Sequence, residues 1–239
     1  MMLETFVAAA GRSFRRHWLA WLFGLLVTFL VFPGIDLWAS GLFWTPESGW
    51  VYRDGHLLEF VRKGLPSVIV GGVLFMLVLY VAGIVFKQTF LGIDGRIALY
   101  LPLSLAVGPG VIVNGIFKDN WGRARPSQIV EFGGTATYTP PLMVTDQCVT
   151  NCSFTSGHGA LGFWLVSLAF LVPAPYRGRA ILVALGLGSM VALVRIMQGG
   201  HFLSDTLYSA IITVSVSWVL WKAMFGPHSP TPHGTKDFS

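Results

Sequence analysis

Six long apolar segments decide what this chain can fold into. Only 11% of its 239 residues are charged and 54% are hydrophobic, whereas an average soluble domain is about a quarter charged. Each segment is close to the ~20 residues that a helix needs to cross the hydrocarbon of a bilayer. The sequence therefore predicts an all-α, polytopic membrane protein with six transmembrane helices in one domain over residues 1–225. The predicted spans are residues 18–35, 65–86, 97–117, 158–172, 180–198 and 202–225.

The connections between these segments predict the topology. Residues 36–64 combine Trp with mixed charges, which is typical of an interfacial helix and loop region, and residues 56–63 predict a short surface helix. Basic residues before the first span favour a cytoplasmic N-terminus, although a signal peptide is an alternative interpretation. Six spans then place a long loop, residues 118–157, at the periplasmic face between the third and fourth helices. The Pro-containing residues 226–239 predict a disordered cytoplasmic tail.

The first of three polar clusters covers residues 118–126. Lys118 supplies a compact positive charge and Arg125 a planar guanidinium, and both suit phosphate oxygens. Arg123 adds a third cation, and Pro126 fixes the chain direction after Arg125. The alternative is a patch that binds lipid headgroups without chemistry.

The second cluster covers residues 153–158, at the start of the predicted fourth span. Thr155 or Ser156 can cap a helix there, and the free amides of a helix N-terminus form a ready anion site. His158 in the first turn would face that anion. Taken alone, a histidine at such a place is more often structural than catalytic.

The third cluster covers residues 195–205. His201 and Asp205 are four residues apart, so on a helix they share a face, and the carboxylate would orient the imidazole. A Gly-Gly break lets Arg195 fold back over His201. The alternative is an arginine at the membrane edge and a His-Asp pair that only packs helices. All three clusters fall at the same predicted membrane face, where ionisable groups are costly, so together they indicate a site for an anion.

The same stretches resemble the three-part signature of the type-two phosphatidic acid phosphatase superfamily. The matching elements are Lys118-x6-Arg125-Pro126, Ser156-Gly157-His158 and Arg195-x5-His201-x3-Asp205. Two positions depart from that pattern, because Thr155 stands where the family usually has Pro and Val194 where it usually has Ser. The resemblance implies two groups of site residues: catalytic His201, His158 and Asp205, and phosphate-binding Lys118, Arg125, Ser156, Gly157 and Arg195, with Arg123 as an additional candidate.

The resemblance also implies a reaction, the metal-independent hydrolysis of a lipid phosphate ester. His201 would attack phosphorus and form a phosphohistidine, with Asp205 orienting it. His158 would protonate the leaving oxygen and then activate water. No cofactor or metal is expected, and the sequence has no cluster of acidic residues suited to Mg²⁺.

The loop between the first two motifs, residues 127–152, is where substrate choice should be set. Cys148 and Cys152 in this extracytoplasmic loop predict a disulfide, with free thiols or half a metal site as alternatives. The elements Trp-Gly-Arg-Ala-Arg-Pro, Phe-Gly-Gly, Thr-Pro-Pro and Cys-x3-Cys-Ser-Phe-x-Ser-Gly-His resemble the bacterial lipid A phosphatase branch. This finer resemblance implies action on lipid A at the periplasmic face of the bacterial inner membrane. The alternatives are undecaprenyl pyrophosphate, phosphatidylglycerophosphate and phosphatidic acid.

Other functional classes fit the sequence less well. The net charge of +5 is spread along the chain without a basic run, which argues against nucleic acid as a partner. An anion transporter would line a path with cations and usually shows an internal repeat, which is absent here. A lipid phosphotransferase would use the same residues and stays open. A non-catalytic lipid-binding or scaffold protein is disfavoured, because all the expected catalytic groups are present. The expected partners are the membrane and a lipid phosphate, without an obligate protein partner.

Overall fold

The computed structural model describes residues 23–24, 27–53 and 55–226. Residues 18–22 and 25–26 of the predicted first span and nearly all of the predicted disordered tail lie outside these residues. The described chain is mostly helical, in agreement with the predicted class. In chain order its elements are α1 Gly34–Gly41, β1 Trp44–Thr45, β2 Gly49–Trp50, α2 His56–Phe86, α3 Gly95–Leu105 with a π-helical continuation Ala106–Lys118, two 3₁₀ turns Pro126–Gln128 and Val130–Phe132, α4 Gly157–Trp164, α5 Val166–Leu171, α6 Ala174–Met197 and α7 Leu203–Phe225.

Four helical segments among the described residues are long and apolar enough to cross a bilayer. They are Leu58–Phe86, Gly95–Lys118, Ala174–Met197 and Leu203–Phe225. The predicted fourth span is instead the shorter apolar stretch Gly157–Leu171. At 1.5 Å per residue this stretch is about 22 Å long, shorter than the ~30 Å hydrocarbon core. The six-span arrangement therefore stays a prediction.

Helix α2 is longer than the sequence indicated. Residues 56–63, predicted as a separate surface helix, continue directly into the span, and the helix runs through Pro66. The acidic and basic residues of its first turns suggested a break. They lie instead at the N-terminal end of one 31-residue helix. The polar first turns of α2 therefore extend beyond its membrane-crossing part and reach the region of the site.

The third span changes its winding halfway. It is α-helical to Leu105 and π-helical from Ala106 to Lys118. Pro109 has no N–H to donate, and Asn114 Nδ2 donates to the Pro109 carbonyl at 2.6 Å, five residues back. Wider π turns are frequent at functional sites because they re-aim side chains. Here the π-helical segment ends at Lys118, the first predicted phosphate-binding residue.

Helix α4 lies at the centre of the bundle and packs closely on α6. A Cβ on Gly188 would lie 2.5 Å from the Phe163 ring, and a Cβ on Gly162 would lie 3.2 Å from the Gly188 Cα. The two backbones can approach only because both positions lack a side chain. Gly186, two residues earlier, has no atom near its Cβ position. Of Gly186 and Gly188, only Gly188 therefore allows the close packing of α6 on α4.

Polar side chains link the helices inside the bundle. Tyr100 donates to the Ser217 carbonyl at 3.1 Å, and Trp164 Nε1 donates to Ser104 Oγ at 2.9 Å. Ser167 and Ser217 share a hydrogen bond of 2.8 Å. A polar group left unpaired in an apolar interior is costly, so these pairs fix the relative positions of the helices.

A small apolar core outside the spans closes one side of the site. Trp50 of the short hairpin packs with Ile129, Phe132 and Phe202, and the Trp50 and Phe132 ring centroids are 5.3 Å apart. Gly199 lies under Trp50 with φ +64, and a Cβ there would enter the indole ring. The hairpin, the long loop and the connection from α6 to α7 are thus held together as one unit.

We expect Gly188→Val to lower the free energy of unfolding by about 1–3 kcal/mol, the usual cost of overpacking a filled site. The new side chain would collide with Phe163. Gly186→Val is the matched control, because it makes the same substitution on the same helix where space is open. Thermal unfolding of the purified proteins in detergent measures both. Equal losses in the two variants would contradict the proposed close packing.

Candidate active site

The three sequence clusters converge at one end of the helical bundle. Lys118 ends the π-helical segment, Gly157 begins α4, and Arg195 lies in the last turn of α6. His201 lies in the connection between α6 and α7. Helix α4 contacts the π-helical segment, α6 and α7, which brings these elements together.

The His201 ring is fully buried and held by a backbone carbonyl. Its Nδ1 lies 2.7 Å from the Ser153 carbonyl oxygen. A carbonyl only accepts, so Nδ1 carries the hydrogen and Nε2 presents a lone pair. Nε2 is buried and has no hydrogen-bond partner among the described residues. An unpartnered buried nitrogen of this kind is suited to act as a nucleophile toward a bound ligand.

This contact differs from the sequence interpretation, which had Asp205 orient His201 on a shared helix face. Helix α7 begins at Leu203, so His201 lies before the helix. The separation of His201 Nδ1 and Asp205 Oδ2 is 3.9 Å, too long for a hydrogen bond. The Gly-Gly turn before His201 delays the start of the helix, and the Ser153 carbonyl takes the place expected for the carboxylate.

Asp205 acts on His201 through Ser153 instead. Its Oδ2 accepts from Ser153 Oγ at 2.5 Å and from the Phe202 amide at 2.9 Å. Its Oδ1 accepts from Arg123 Nη1 at 2.6 Å. The carboxylate thereby fixes both the residue whose carbonyl holds His201 and the first turn of α7.

Arg123 lies in an ion-pair network and not among the phosphate-binding cations with which the sequence grouped it. The guanidinium is fully buried between Asp205 and Asp36, with Nη2 2.8 Å from Asp36 Oδ2. Its Nε donates to the Thr139 carbonyl at 2.8 Å, and its plane covers the Phe202 ring at 4.3 Å. Its donors are taken up within the fold, so Arg123 is a structural cation.

Asp36 is a residue that the sequence analysis missed. It lies on α1, is fully buried, and accepts from the Ser204 amide at 2.8 Å and from Ser204 Oγ at 2.5 Å. The available signal was an acidic residue beside a membrane span, which is costly unless paired. The sequence could not supply its partner, because Arg123 is 87 residues away.

Three other cations surround His201. Burial and the nearby Arg195, Lys118 and Arg125 hold the pKa of His201 well below its usual range. Arg125 Nε and Nη2 donate to the Asn151 carbonyl at 3.1 and 2.6 Å. Within the described chain, the side-chain hydrogen-bond acceptors of Arg125 and Arg195 are uncharged oxygens, so they do not neutralise these cations. The pocket around Nε2 is therefore electropositive and suited to an anion.

Arg195 is aimed by its own turn. Its Nη1 donates to Gln198 Oε1 at 2.5 Å, and its buried Nε has no partner within the described chain. A Cβ on Gly200 would lie 2.4 Å from Arg195 Nη2. The absence of a side chain at Gly200 lets the guanidinium fold back over the turn, while its predicted position over His201 stays a prediction.

The N-terminus of α4 faces the same pocket. Ser156 caps the helix, with Oγ accepting from the Gly159 amide at 3.1 Å, while the Ser156 amide donates to the Asp205 carbonyl at 3.3 Å. Phosphate binding was expected from the backbone amides of Ser156 and Gly157. The Ser156 amide already donates its hydrogen bond to Asp205 within the fold. A Cβ on Gly157 would lie 2.6 Å from Asn114 Oδ1 and 3.4 Å from Lys118 Nζ, so the glycine lets Asn114 approach the helix start, next to the lysine.

His158 is held from the side of α2. Its Nε2 lies 3.0 Å from the Arg62 carbonyl oxygen, and the Arg62 side chain pairs with Glu59. Arg195 and Lys118 interact electrostatically with His158 as they do with His201. The two histidines thus border one cationic pocket.

A disulfide joins Cys148 and Cys152 at the end of the loop between the first two motifs, as the sequence predicted. Cys152 is fully buried next to Ser153.

A sequence model of the PAP2 superfamily matches residues 97–228, which include all three clusters. The chain belongs to the PAP2 superfamily. This PAP2 protein is also similar to a lipid A 4'-phosphatase of Francisella tularensis subsp. novicida (strain U112), 32% identical over 214 residues that cover 86% of the chain and 91% of the relative. A lipid A 4'-phosphatase of Rhizobium leguminosarum is 30% identical over 208 residues, 80% of the chain and 86% of the relative. No solved structure matches significantly.

Membership and relatives establish the class of the protein. It is a phosphoric ester hydrolase, a lipid phosphatase with apolar helices suited to a membrane. The family match begins at residue 97, so Asp36 of α1 and the start of α2 are contributed by the chain outside it.

In the PAP2 protein we expect His201 to stay neutral, with its hydrogen on Nδ1, as the pH falls through about 6.5, the usual histidine pKa. Burial and three cations disfavour protonation. The unfolded chain would bind the proton first, so the contribution of His201 to stability is present above about pH 6.5 and is lost below it. ¹⁵N NMR of histidine-labelled protein checks the tautomer, with His201→Gln assigning the signal. An Nε2–H tautomer, or a midpoint above 6.5, would contradict the geometry.

Asp36→Ala should destabilise the PAP2 fold by about 3–5 kcal/mol, because it leaves part of a buried charge network unpaired. Glu47→Ala is the control, since it removes an exposed carboxylate from the neighbouring hairpin. Chemical unfolding in detergent compares them. Similar stabilities would mean that the Asp36–Arg123 pair does not hold the fold.

Proposed function

We propose that this PAP2 enzyme removes a phosphate from lipid A or its precursor, through a phosphohistidine at His201. The observation that carries the proposal is the buried Nε2 of His201, which has no hydrogen-bond partner in the described part of the chain and lies near the cations Lys118, Arg125 and Arg195. The named activity of the relatives, lipid A 4'-phosphatase, supports the choice of substrate.

In the first step the Nε2 lone pair of His201 forms a bond to phosphorus while the bond from phosphorus to the lipid oxygen breaks. Lys118, Arg125 and Arg195 stabilise the charge on the equatorial phosphate oxygens, which is the main contribution a protein makes to phosphoryl transfer. The leaving oxygen takes a proton from His158. The second step reverses the roles: His158 accepts a proton from water, the water oxygen attacks phosphorus, and the P–N bond breaks to release phosphate.

The contact of His158 with α2 specifies which of its nitrogens exchanges the proton. The Arg62 carbonyl can only accept, so Nε2 keeps its hydrogen. Nδ1 is then the nitrogen that gives a proton to the leaving oxygen and later takes one from water. His158 alternates between the imidazolium and the neutral form, with Arg62 holding the ring in place throughout.

The position of the pocket suits a lipid substrate. Lys118 ends one span candidate, Arg195 lies near the end of another, and His201 lies just before a third. The site is therefore level with the ends of the membrane-crossing helices, where the phosphate of a lipid headgroup lies. The disulfide beside it favours an oxidising compartment, so we place the site at the periplasmic face of the bacterial inner membrane.

We expect His201→Ala to abolish phosphate release and the labelled enzyme intermediate, and His158→Ala to lower kcat by about 10²–10⁴-fold, the usual contribution of general acid–base catalysis. The measurements are phosphate release in detergent and trapping of acid-labile ³²P on the protein. Thermal unfolding confirms that both variants are folded. Full activity in either variant, or a label that survives in His201→Ala, would refute the mechanism.

The substrate is tested with a panel of purified lipid phosphates and mass-spectrometric detection of products. Lipid A should lose one phosphate at a higher kcat/KM than undecaprenyl pyrophosphate, phosphatidylglycerophosphate or phosphatidic acid. Adding an acceptor lipid separates a hydrolase from a phosphotransferase, since a transferase would phosphorylate the acceptor. Preference for another lipid would overturn the substrate and leave the phosphohistidine mechanism in place.

A further inference from the structure

Two site residues are held by backbone carbonyls of one short segment. The Asn151 carbonyl accepts both Nε and Nη2 of Arg125, and the Ser153 carbonyl accepts from His201. These carbonyls flank Cys152, which is fully buried and bonded to Cys148. The disulfide therefore closes the turn that contains the Asn151 carbonyl. Its second cysteine, Cys152, directly precedes Ser153, whose carbonyl holds His201.

The two carbonyls are secured in different ways. Ser153 is fixed from inside the fold, because its amide donates to the Arg123 carbonyl at 2.8 Å and its Oγ donates to Asp205. Asn151 lies in an exposed turn with φ +52, a conformation that a non-glycine residue adopts at a cost. Val149 in the same turn is 88% exposed. The turn has little packing of its own, so its conformation depends on its ends.

Both ends of the exposed turn are anchored, and the disulfide joins them. Before the turn, the Thr145 amide donates to the Trp121 carbonyl at 3.0 Å, and Gln147 Oε1 accepts from the Thr137 amide at 2.8 Å. After the turn comes buried Ser153. A covalent bond between Cys148 and Cys152 keeps the span between these anchors short, so the Asn151 carbonyl is held against Arg125.

We infer that the Cys148–Cys152 disulfide is a positioning device for phosphate binding, which acts on Arg125 through the Asn151 carbonyl. The inference rests on the proposed function of Arg125. The carbonyl occupies the Nε and Nη2 edge of the guanidinium, which leaves Nη1 and the second Nη2 hydrogen to face a phosphate. Because an arginine fork binds phosphate in a defined plane, fixing one edge sets the direction of the other.

Opening the disulfide has a specific consequence under this inference. The exposed turn gains conformational freedom, and Arg125 loses the Asn151 carbonyl as a fixed acceptor. The phosphate is then bound less tightly in the transition state. Misplacement of a positioning group by about 1 Å can cost on the order of 10²-fold. His201 should be unaffected, because Ser153 keeps its bonds to Arg123 and Asp205.

The test uses the full chain in detergent. The Cys148→Ser/Cys152→Ser variant and reduced wild type are compared with oxidised wild type and with Val149→Ala, a control in the same turn. We expect kcat/KM to fall by roughly 10²-fold on opening, orthovanadate to inhibit more weakly, and the ¹⁵N signal of His201 to keep its Nδ1–H tautomer. In an Arg125→Lys background, opening should cost less than about threefold further, because effects that act through one residue do not add.

The possible outcomes separate the explanations. No loss on opening, or the same fold loss in the Arg125→Lys background, would overturn the inference. A changed His201 tautomer or a collapse in melting temperature would also overturn it, since the disulfide would then hold the whole loop. If wild type releases phosphate from none of the lipids, the proposed function fails. A comparison of orthovanadate binding with the disulfide intact and opened still decides whether the disulfide acts on Arg125.

Discussion

The active-site end of this protein depends on one buried cation, Arg123, held between two carboxylates. Neither the guanidinium nor the carboxylates of Asp36 and Asp205 have any exposed surface. Removing one partner of such a pair leaves a buried charge without compensation, which is far more costly than at a surface. The pairing fixes Asp205, Asp205 fixes Ser153 through its hydroxyl, and the Ser153 carbonyl orients His201. The orientation of His201, the proposed nucleophile, thus follows from a buried charge network.

The cations of the site divide into two kinds by their partners. Arg123 is neutralised by carboxylates. Within the described chain, Lys118, Arg125 and Arg195 have no carboxylate at ion-pair distance, and the two arginines bond only to neutral acceptors. A neutral oxygen fixes the orientation of a guanidinium without cancelling its charge. The pocket therefore keeps its positive potential, as the proposed stabilisation of a phosphate in the transition state requires.

The candidate residues of the site could be predicted from residue types and their order along the chain. The contacts between these residues could not be predicted in this way. The spacing of His201 and Asp205 indicated a direct pair, but the Gly-Gly turn puts His201 outside the helix, and a backbone carbonyl replaces the carboxylate. Backbone groups are identical at every residue, so no pattern of side chains reveals which carbonyl lies beside an imidazole. In the same way, Arg123 and Arg125 are two residues apart and alike in type. Only the tertiary structure distinguishes Arg123, which is buried between two carboxylates, from Arg125, which is proposed to bind phosphate.

The sequence by itself determined the membrane class and the helical architecture, and it predicted the disulfide and a set of candidate phosphate-binding residues, because apolar length and side-chain chemistry are local properties. The tertiary structure decided which of these groups meet. It joined α1 to the site through Asp36, gave His158 a carbonyl of α2 as its partner, and left the Nε2 of His201 without a partner among the described residues. These contacts join residues dozens to more than a hundred positions apart, and their geometry is set by how the helices and the long loop pack.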